Sequence, residues 1–379
     1  MPQRVRTDWI LFYTVLLMVC FGLVMVYSAS SVMAELKFKS STHFIVRQFG
    51  WAVISFIVMM YCKGHDYRAM KSPQFAFAAL GVVLILLIAV YFADWRSHRW
   101  FRLPFGSLQP SEFAKPALIV FLAYFLTRRT QLINDRRTIM QGALALAVLA
   151  ATVVVADLGT AIVLVATALV MFFVAGLDWK YFAVAVAAIL LFAGIAIIVK
   201  PYRLARVVGY VDPEFTIIDT IDSSGKIKKL MNDSVAGRDG GYQIRQAKIA
   251  IGSGGPVGLG LMQSKQKWLF LPESHTDTIY AVIGEELGLS GCVLVLGGFL
   301  IVLWRGLRLY WTAPDDFGRY LALGITSSIV IQALINISVV LDLGPTKGIP
   351  LPMISAGGSS LLSTLLCLGL LLSVSEQAA

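Results

Sequence analysis

The sequence predicts an all-α polytopic integral membrane protein of about ten transmembrane helices, with both termini cytoplasmic. Three observations carry that reading. Of 379 residues, 58% are hydrophobic and only 14% charged, against about 25% charged in an average soluble domain. Apolar residues gather into runs close to the roughly 20 needed to cross a bilayer, and the mean hydropathy is +0.76. Lysine and arginine are also divided unevenly between alternate loops, as in membrane proteins of defined orientation.

The candidate spans run at roughly 8–32, 44–62, 74–93, 111–127, 139–156, 157–177, 181–199, 277–304, 320–341 and 359–375. The first follows Met1-Pro2-Gln3-Arg4-Val5-Arg6 without a small-residue cleavage site, so it is expected to be a retained span rather than a signal peptide. The second, fourth and ninth are short or carry polar residues. One set of loops holds Arg4, Arg6, Lys63, Arg68, Lys71, Arg128, Arg129, Arg136, Arg137, Lys180, Arg305, Arg308 and Arg319, thirteen in all. The opposite short loops hold seven: Lys37, Lys39, Arg47, Arg96, Arg99, Arg102 and Lys347. The richer set belongs in the cytoplasm, which puts both termini there.

Residues 200–276 then form a large extracytoplasmic loop between the seventh and eighth spans, inside a single domain covering 1–379. The net charge is +10, and eleven basic residues fall between Lys200 and Lys267. Long loops are exempt from the positive-inside rule. The charge suits an anionic ligand such as a phosphate or pyrophosphate, or a loop drawn to anionic headgroups. About 214–240 is polar and glycine-containing and reads as flexible or partner-facing. Tyr242 to Phe270 alternates glycine turns with basic and aromatic residues and reads as an ordered re-entrant or surface element.

Some chemistry is excluded. Cys20, Cys62, Cys292 and Cys367 lie far apart in or beside apolar runs, so neither a disulfide framework nor a metal site is expected. No internal or inverted repeat favours a transporter.

Leu271 to Gly288 packs four carboxylates and a histidine into the start of an apolar run: Glu273, His275, Asp277, Glu285 and Glu286. Such groups are costly in a bilayer and mark function. If Pro272 opens the helix, Glu273 and Asp277 share a face. The helix N-terminus favours their anionic forms while burial opposes them, which suits a carboxylate accepting a proton from a sugar hydroxyl. Helix capping would explain one carboxylate but not the set. Glu285 and Glu286, two turns deeper, suit salt bridges within the bundle. Glu112 and Lys115 are three apart on one span, as a structural pair or a substrate contact. Asp157-Leu158-Gly159-Thr160 fits a turn. Arg203 and Arg206 fit phosphate binding or surface anchoring equally. Gly344 to Ser360, with three prolines and Lys347, cannot be a regular helix; at membrane depth such backbone is buried in protein or lines a cavity, the alternative being an ordinary exposed connecting loop.

Together these residues resemble the SEDS family of peptidoglycan polymerases, which includes FtsW, RodA and SpoVE. The resemblance rests on Gln109 to Lys115, Asp157 to Thr160, Gly241-Tyr242-Gln243 through Gly255, Gln266-Lys267, Phe270 to Glu273, His275-Thr276-Asp277, Gly284 to Gly288 and Pro345 to Ser360, all in family order. It implies a glycosyltransferase that polymerises lipid II on the outer face of the cytoplasmic (inner) membrane, with undecaprenyl pyrophosphate leaving and inversion at the anomeric carbon. Asp277 falls on the family's essential aspartate and is expected to be the general base. Lys115, Glu112, Arg203, Lys267, Glu273, His275 and Lys347 are expected around the substrate. Pro345 to Gly348 looks more like the division-type FtsW branch than the RodA branch. Ala356 and Ala247 stand where tyrosine and serine are usual, and 214–240 looks like an insertion.

The implied partner is a class B penicillin-binding protein that cross-links the glycan. The implied cofactors are none beyond a divalent cation, magnesium or manganese, which the sequence neither requires nor excludes. The competing readings are a lipid II flippase, which would need polar residues through the full bilayer depth, and a scaffold of the division or elongation machinery.

Overall fold

The computed structural model describes residues 7–378 except 96, 104–105, 200–203, 205–206, 208–209, 211–234, 269 and 346–347, with backbone only for 103 and 235–241. Helices stand at all ten expected places: α1 (Trp9–Phe38), α2 (His43–Gly64), α3 (Pro73–Ala93), α4 (Pro110–Arg129), α5 (Arg136–Ala156), α6 (Leu158–Val174), α7 (Trp179–Ile198), α9 (Ile279–Thr312), α10 (Asp316–Val340) and α11 (Gly358–Gln377). Eight of these are long and apolar enough to cross a membrane. The others are α6, at 17 residues, and α4, which carries Glu112, Lys115 and Pro116. A two-stranded antiparallel hairpin, Phe101–Leu103 with Gly106–Leu108, precedes α4.

Local chemistry starts these helices where the sequence supplies caps. Asp8 accepts from Leu11 N at 3.1 Å, Ser72 from Phe75 N at 3.2 Å ahead of Pro73, and Asp315 from Gly318 N at 3.3 Å. Each satisfies one of the donors that a helix start leaves open. The bundle is centred on α11, α10 and α4, which carry mostly buried side chains; α11 packs along α2, and α10 along α9 and α4. α7 has no buried residue and lies at the periphery.

The end of the bundle that holds both termini is tied by ion pairs. Arg305 of α9 reaches Asp8 at 2.7 Å, and Lys63 of α2 reaches Glu376 of α11 at 3.0 Å. Since α2 and α11 both begin at the other end, their first residues lie a full helix length from the termini.

Two expectations are corrected. Part of the long loop is a helix, α8 (Val235–Gly254), which takes in Gly252 and Gly254, two of the glycines read as turns, while Gly255, Gly258 and Gly260 beyond it have positive φ as turn glycines do. Ala247 and Ala250 of α8 are buried, with Ile251 packed beside them, and α8 lies along α9. This spacing is helical, and the favourable contact outweighs the cost of the glycines, about 1 kcal/mol each. The remainder of the proposed insertion, 214–234, lies outside the described residues.

The second correction concerns Pro272, which does not open α9. Residues 271–278 are turns, Glu273 has φ 51°, and Thr278 precedes the first helical residue, Ile279. Once Glu273 adopts this left-handed conformation the helix cannot start before it. Glu273 and Asp277 therefore do not share a helix face.

α9 itself breaks at Gly288 (φ 64°, ψ −158°). The groups freed there are paired by the segment after α8. Leu259 N and Gly260 N donate to the carbonyls of Glu285 and Glu286 at 3.0 and 2.9 Å, and Leu289 N and Ser290 N donate to those of Gly255 and Pro256 at 2.9 and 3.2 Å. Non-helical backbone in a membrane protein requires such replacement partners. The approach is close enough that a Cβ on Gly258 would lie 2.2 Å from the Glu286 carbonyl oxygen.

Candidate active site

A cavity of about 410 Å³ opens at the end of the bundle opposite the termini. Its wall comes from the start of α2 (Phe44, Arg47, Gln48, Trp51), from the segment before α4 (Arg99, Trp100, Gly106, Ser107, Gln109), and from the turns before α9 (Glu273, His275, Thr276, Asp277). Pro350 and residues Ala356 to Ser360 complete it. The starts of α2, α4, α9 and α11 thus converge on one space. Helix N-termini carry partial positive charge and unpaired N–H groups. Combined with Arg47 and Arg99, they make the cavity a place for an anion.

Asp277 sits one residue ahead of the α9 cap, partly exposed to this space. The turn that carries it is bonded on every side. Thr278 Oγ1 donates to the carbonyls of Pro272 and Glu273 at 3.1 and 3.0 Å, and Ser274 Oγ to Ala29 O at 3.2 Å. Ser355 Oγ donates to Thr276 O at 2.6 Å, and Ala356 N to His275 O at 2.9 Å. The Asn336 amide of α10 donates to Asp277 O at 2.8 Å and to Ile349 O at 2.7 Å. Gly348 faces the carboxylate so closely that a Cβ there would lie 2.5 Å from Oδ2.

His275 is a largely buried part of the wall, its ring 4.6 Å from that of Phe44. Burial holds its imidazole below the usual range; the nearby Glu273 carboxylate opposes this shift and the Lys37 ammonium adds to it. Glu273 is exposed and accepts from Thr276 Oγ1 at 2.8 Å.

Arg99 is held in the wall from two sides. Its Nη2 donates to Asp157 Oδ2 at 2.8 Å, while Asp157 caps α6 by accepting from Gly159 N at 2.8 Å and Thr160 N at 3.3 Å. Gln109 Nε2 shares that carboxylate at 3.2 Å. The loop carrying Arg99 wraps Asp94, which accepts from the backbone N–H of Ser97, Arg99 and Trp100 and from the Ser97 hydroxyl. The Ser97 hydroxyl first, then those N–H groups, keep the Asp94 carboxyl well below its usual range.

Of the residues expected around a substrate, Asp277, Glu273 and His275 line the cavity. Glu112 and Lys115 do not. They pair at 2.7 Å inside the bundle, where Lys115 Nζ also donates to Gln332 Oε1 at 2.7 Å and Ser363 Oγ to Glu112 at 3.4 Å. Lys267 is likewise buried, donating to Glu286 at 3.1 Å and to Met262 O at 2.6 Å. Glu286 accepts from Ser28 Oγ at 2.6 and 2.7 Å, and Glu285 from Ser264 Oγ at 2.5 Å and Lys265 N at 2.9 Å. That pair joins α1, α9 and the segment after α8, the bundle-binding role expected of it. Arg203 and Lys347 lie outside the described residues. Sequence reasoning counted Arg47 and Arg99 only as loop charges. Nothing local in the sequence set these two apart from the other basic residues of the same loops. Among the described residues, no group of three or more His, Cys, Asp or Glu is placed to hold a metal ion, and all four cysteines are free.

The model of the FtsW, RodA and SpoVE family, described as cell cycle protein, matches residues 8–379. The chain is 38% identical to a probable peptidoglycan glycosyltransferase FtsW of Geobacter metallireducens, over 98% of this chain and 95% of that one. It is also 38% identical to stage V sporulation protein E of Bacillus subtilis, over 99% of each. Among solved structures, a chain from a peptidoglycan synthase complex that coordinates polymerization and crosslinking superposes with TM-score 0.74 at 25% identity, covering 98% of both. The rod shape determining protein RodA of Thermus thermophilus shares the fold, with TM-score 0.68 at 24% identity over 99% of this chain and 98% of that one.

Proposed function

The chain belongs to the FtsW, RodA and SpoVE family of cell-cycle proteins, and from that premise we propose that it is a peptidoglycan glycosyltransferase acting on lipid II in the cavity around Asp277. The observation that carries this is the sharing of one space by Asp277, Arg47, Arg99 and four helix starts. A glycosyl transfer with a pyrophosphate leaving group needs one base and a cationic cradle; the cavity supplies both.

In this reading the acceptor sugar's 4-hydroxyl attacks the donor's anomeric carbon while its proton passes to an Asp277 oxygen. The bond from that carbon to the pyrophosphate oxygen breaks with inversion, and the electron pair leaves on the pyrophosphate. Arg47, Arg99 and the helix N-termini stabilise that charge, which grows in the transition state. We keep Arg203 and Lys347 as further pyrophosphate contacts, because Lys347 adjoins Gly348, which touches Asp277. Lys115 supports the wall from within, through Gln332 and Pro350. A divalent cation would fit here through Asp277 or Glu273 and the substrate's own phosphates, the way magnesium is usually held, and would add charge neutralisation at the leaving group.

The protein spans the membrane several times. We place it in the cytoplasmic membrane with the lysine- and arginine-rich, terminus-bearing end inside and the cavity outside. We further propose a transpeptidase of the penicillin-binding class as its partner, on the likeness to the synthase complex. The test is polymerisation of lipid II by the purified protein with its transpeptidase. Asp277→Asn is expected to slow it by about 100-fold or more, and a wild-type rate in that variant would overturn the reading.

A further inference from the structure

The carboxylate of Asp277 lies between two segments that are remote in the chain: the turn before α9, and the 348–357 segment, whose Gly348 leaves no room for a Cβ beside Oδ2. One side chain joins them. Asn336, 2% exposed, uses a single amide nitrogen to donate to Asp277 O at 2.8 Å and Ile349 O at 2.7 Å. Two carbonyls at this distance require the NH2 on that side, which settles the orientation of the amide.

The opposite atom makes the arrangement informative. Among the described residues, Asn336 Oδ1 is buried without a hydrogen-bond partner. A buried unpaired oxygen is unfavourable, and an apolar residue of the same shape would remove that penalty. The amide therefore stands there at a net cost that only its NH2 offsets. One turn earlier on the same face of α10, Gln332 repeats the pattern, donating to Pro350 O at 2.8 Å while its own oxygen accepts from Lys115. α10 thus offers two amides, four residues apart, to the carbonyls of Asp277, Ile349 and Pro350 in those two segments.

We propose that Asn336 is a positioning residue. Its bridge between Asp277 O and Ile349 O holds the Asp277 carboxylate in the place and direction that the sugar hydroxyl requires. Gln332 steadies the same segment one turn away and links the buried Glu112–Lys115 pair to it. This rests on Asp277 being the base, and the test separates the two assignments.

The protein is assayed full-length with its transpeptidase, using lipid II as the probe. Asn336→Leu removes the NH2 and the orphan oxygen together at similar volume; Asn336→Asp keeps the shape without the NH2. In both, kcat should fall by about 20-fold or more while KM changes by less than about threefold, because the contact orients a group rather than binding substrate. Combined with Asp277→Asn in single turnover, Asn336→Leu should add no further loss, as for two residues acting as one unit. A wild-type kcat in Asn336→Leu, or losses that multiply in the double variant, would overturn the proposal. Failure of both Asn336 variants to fold would assign the residue to stability alone and overturn it equally. If Asp277→Asn keeps the wild-type rate, it is the base assignment that falls.

Discussion

A Cβ on Gly348 would stand 2.5 Å from Oδ2 of Asp277, so the carboxylate has its place only because residue 348 has no side chain. Gly348 is not among the residues with positive φ, and the constraint is steric rather than conformational. Gly348→Ala should therefore displace the carboxylate without straining the local backbone. Polymerisation is expected to fall by about 100-fold, the usual consequence of misplacing a catalytic group by about 1 Å. Initial rates with lipid II, beside a melting curve that stays within a few degrees of wild type, check this.

Asp157 has two tasks, capping α6 and anchoring Arg99. Asp157→Asn keeps a side chain able to cap but loses the charge facing the guanidinium. The KM for lipid II should rise several-fold with kcat changed less, since the freed Arg99 pays its ordering entropy on binding substrate. An unchanged KM would show that Arg99 does not touch the substrate.

The Lys267–Glu286 pair lies inside the bundle, both side chains nearly inaccessible. Removing one partner leaves an uncompensated buried charge, so Lys267→Met should destabilise by about 3–5 kcal/mol. Adding Glu286→Gln should recover part of that loss. Thermal unfolding in detergent measures both, and additive losses would contradict the pairing.

His275 sets a limit on the acid side. Its ordinary imidazole value of 6.5 applies to the unfolded chain, while burial in the fold keeps it neutral to lower pH. Between those two values the unfolded chain binds more protons than the folded one. This contribution to stability is therefore complete above about pH 6.5 and is lost as pH falls below it. The melting temperature should decline on acidification through that window, and His275→Gln should flatten that part of the curve.

The helices were legible because the signal for each is local. Twenty apolar residues in succession leave few alternatives at membrane depth, and all ten expected positions hold a helix. α8 was missed because its glycines read as turns, although Ile244, Ala247 and Ile251 already repeat at helical spacing. Pro272 misled in the opposite sense: proline favours a helix start, but the left-handed backbone of Glu273 deferred the start to Ile279.

The sequence by itself determined a polytopic helical protein with Asp277 at the mouth of a helix and a proline-rich wall segment near the end of the chain. Only the tertiary structure decided which cations face the cavity. Lys115 and Lys267 turned inward to Glu112 and Glu286, and Arg47 and Arg99 line the space beside Asp277. The reason is physical. Hydropathy along the chain reports whether a segment is buried in lipid, whereas the direction of a charged side chain is set by the rotation of its helix against neighbours distant in sequence. A buried charge goes wherever that packing provides a partner.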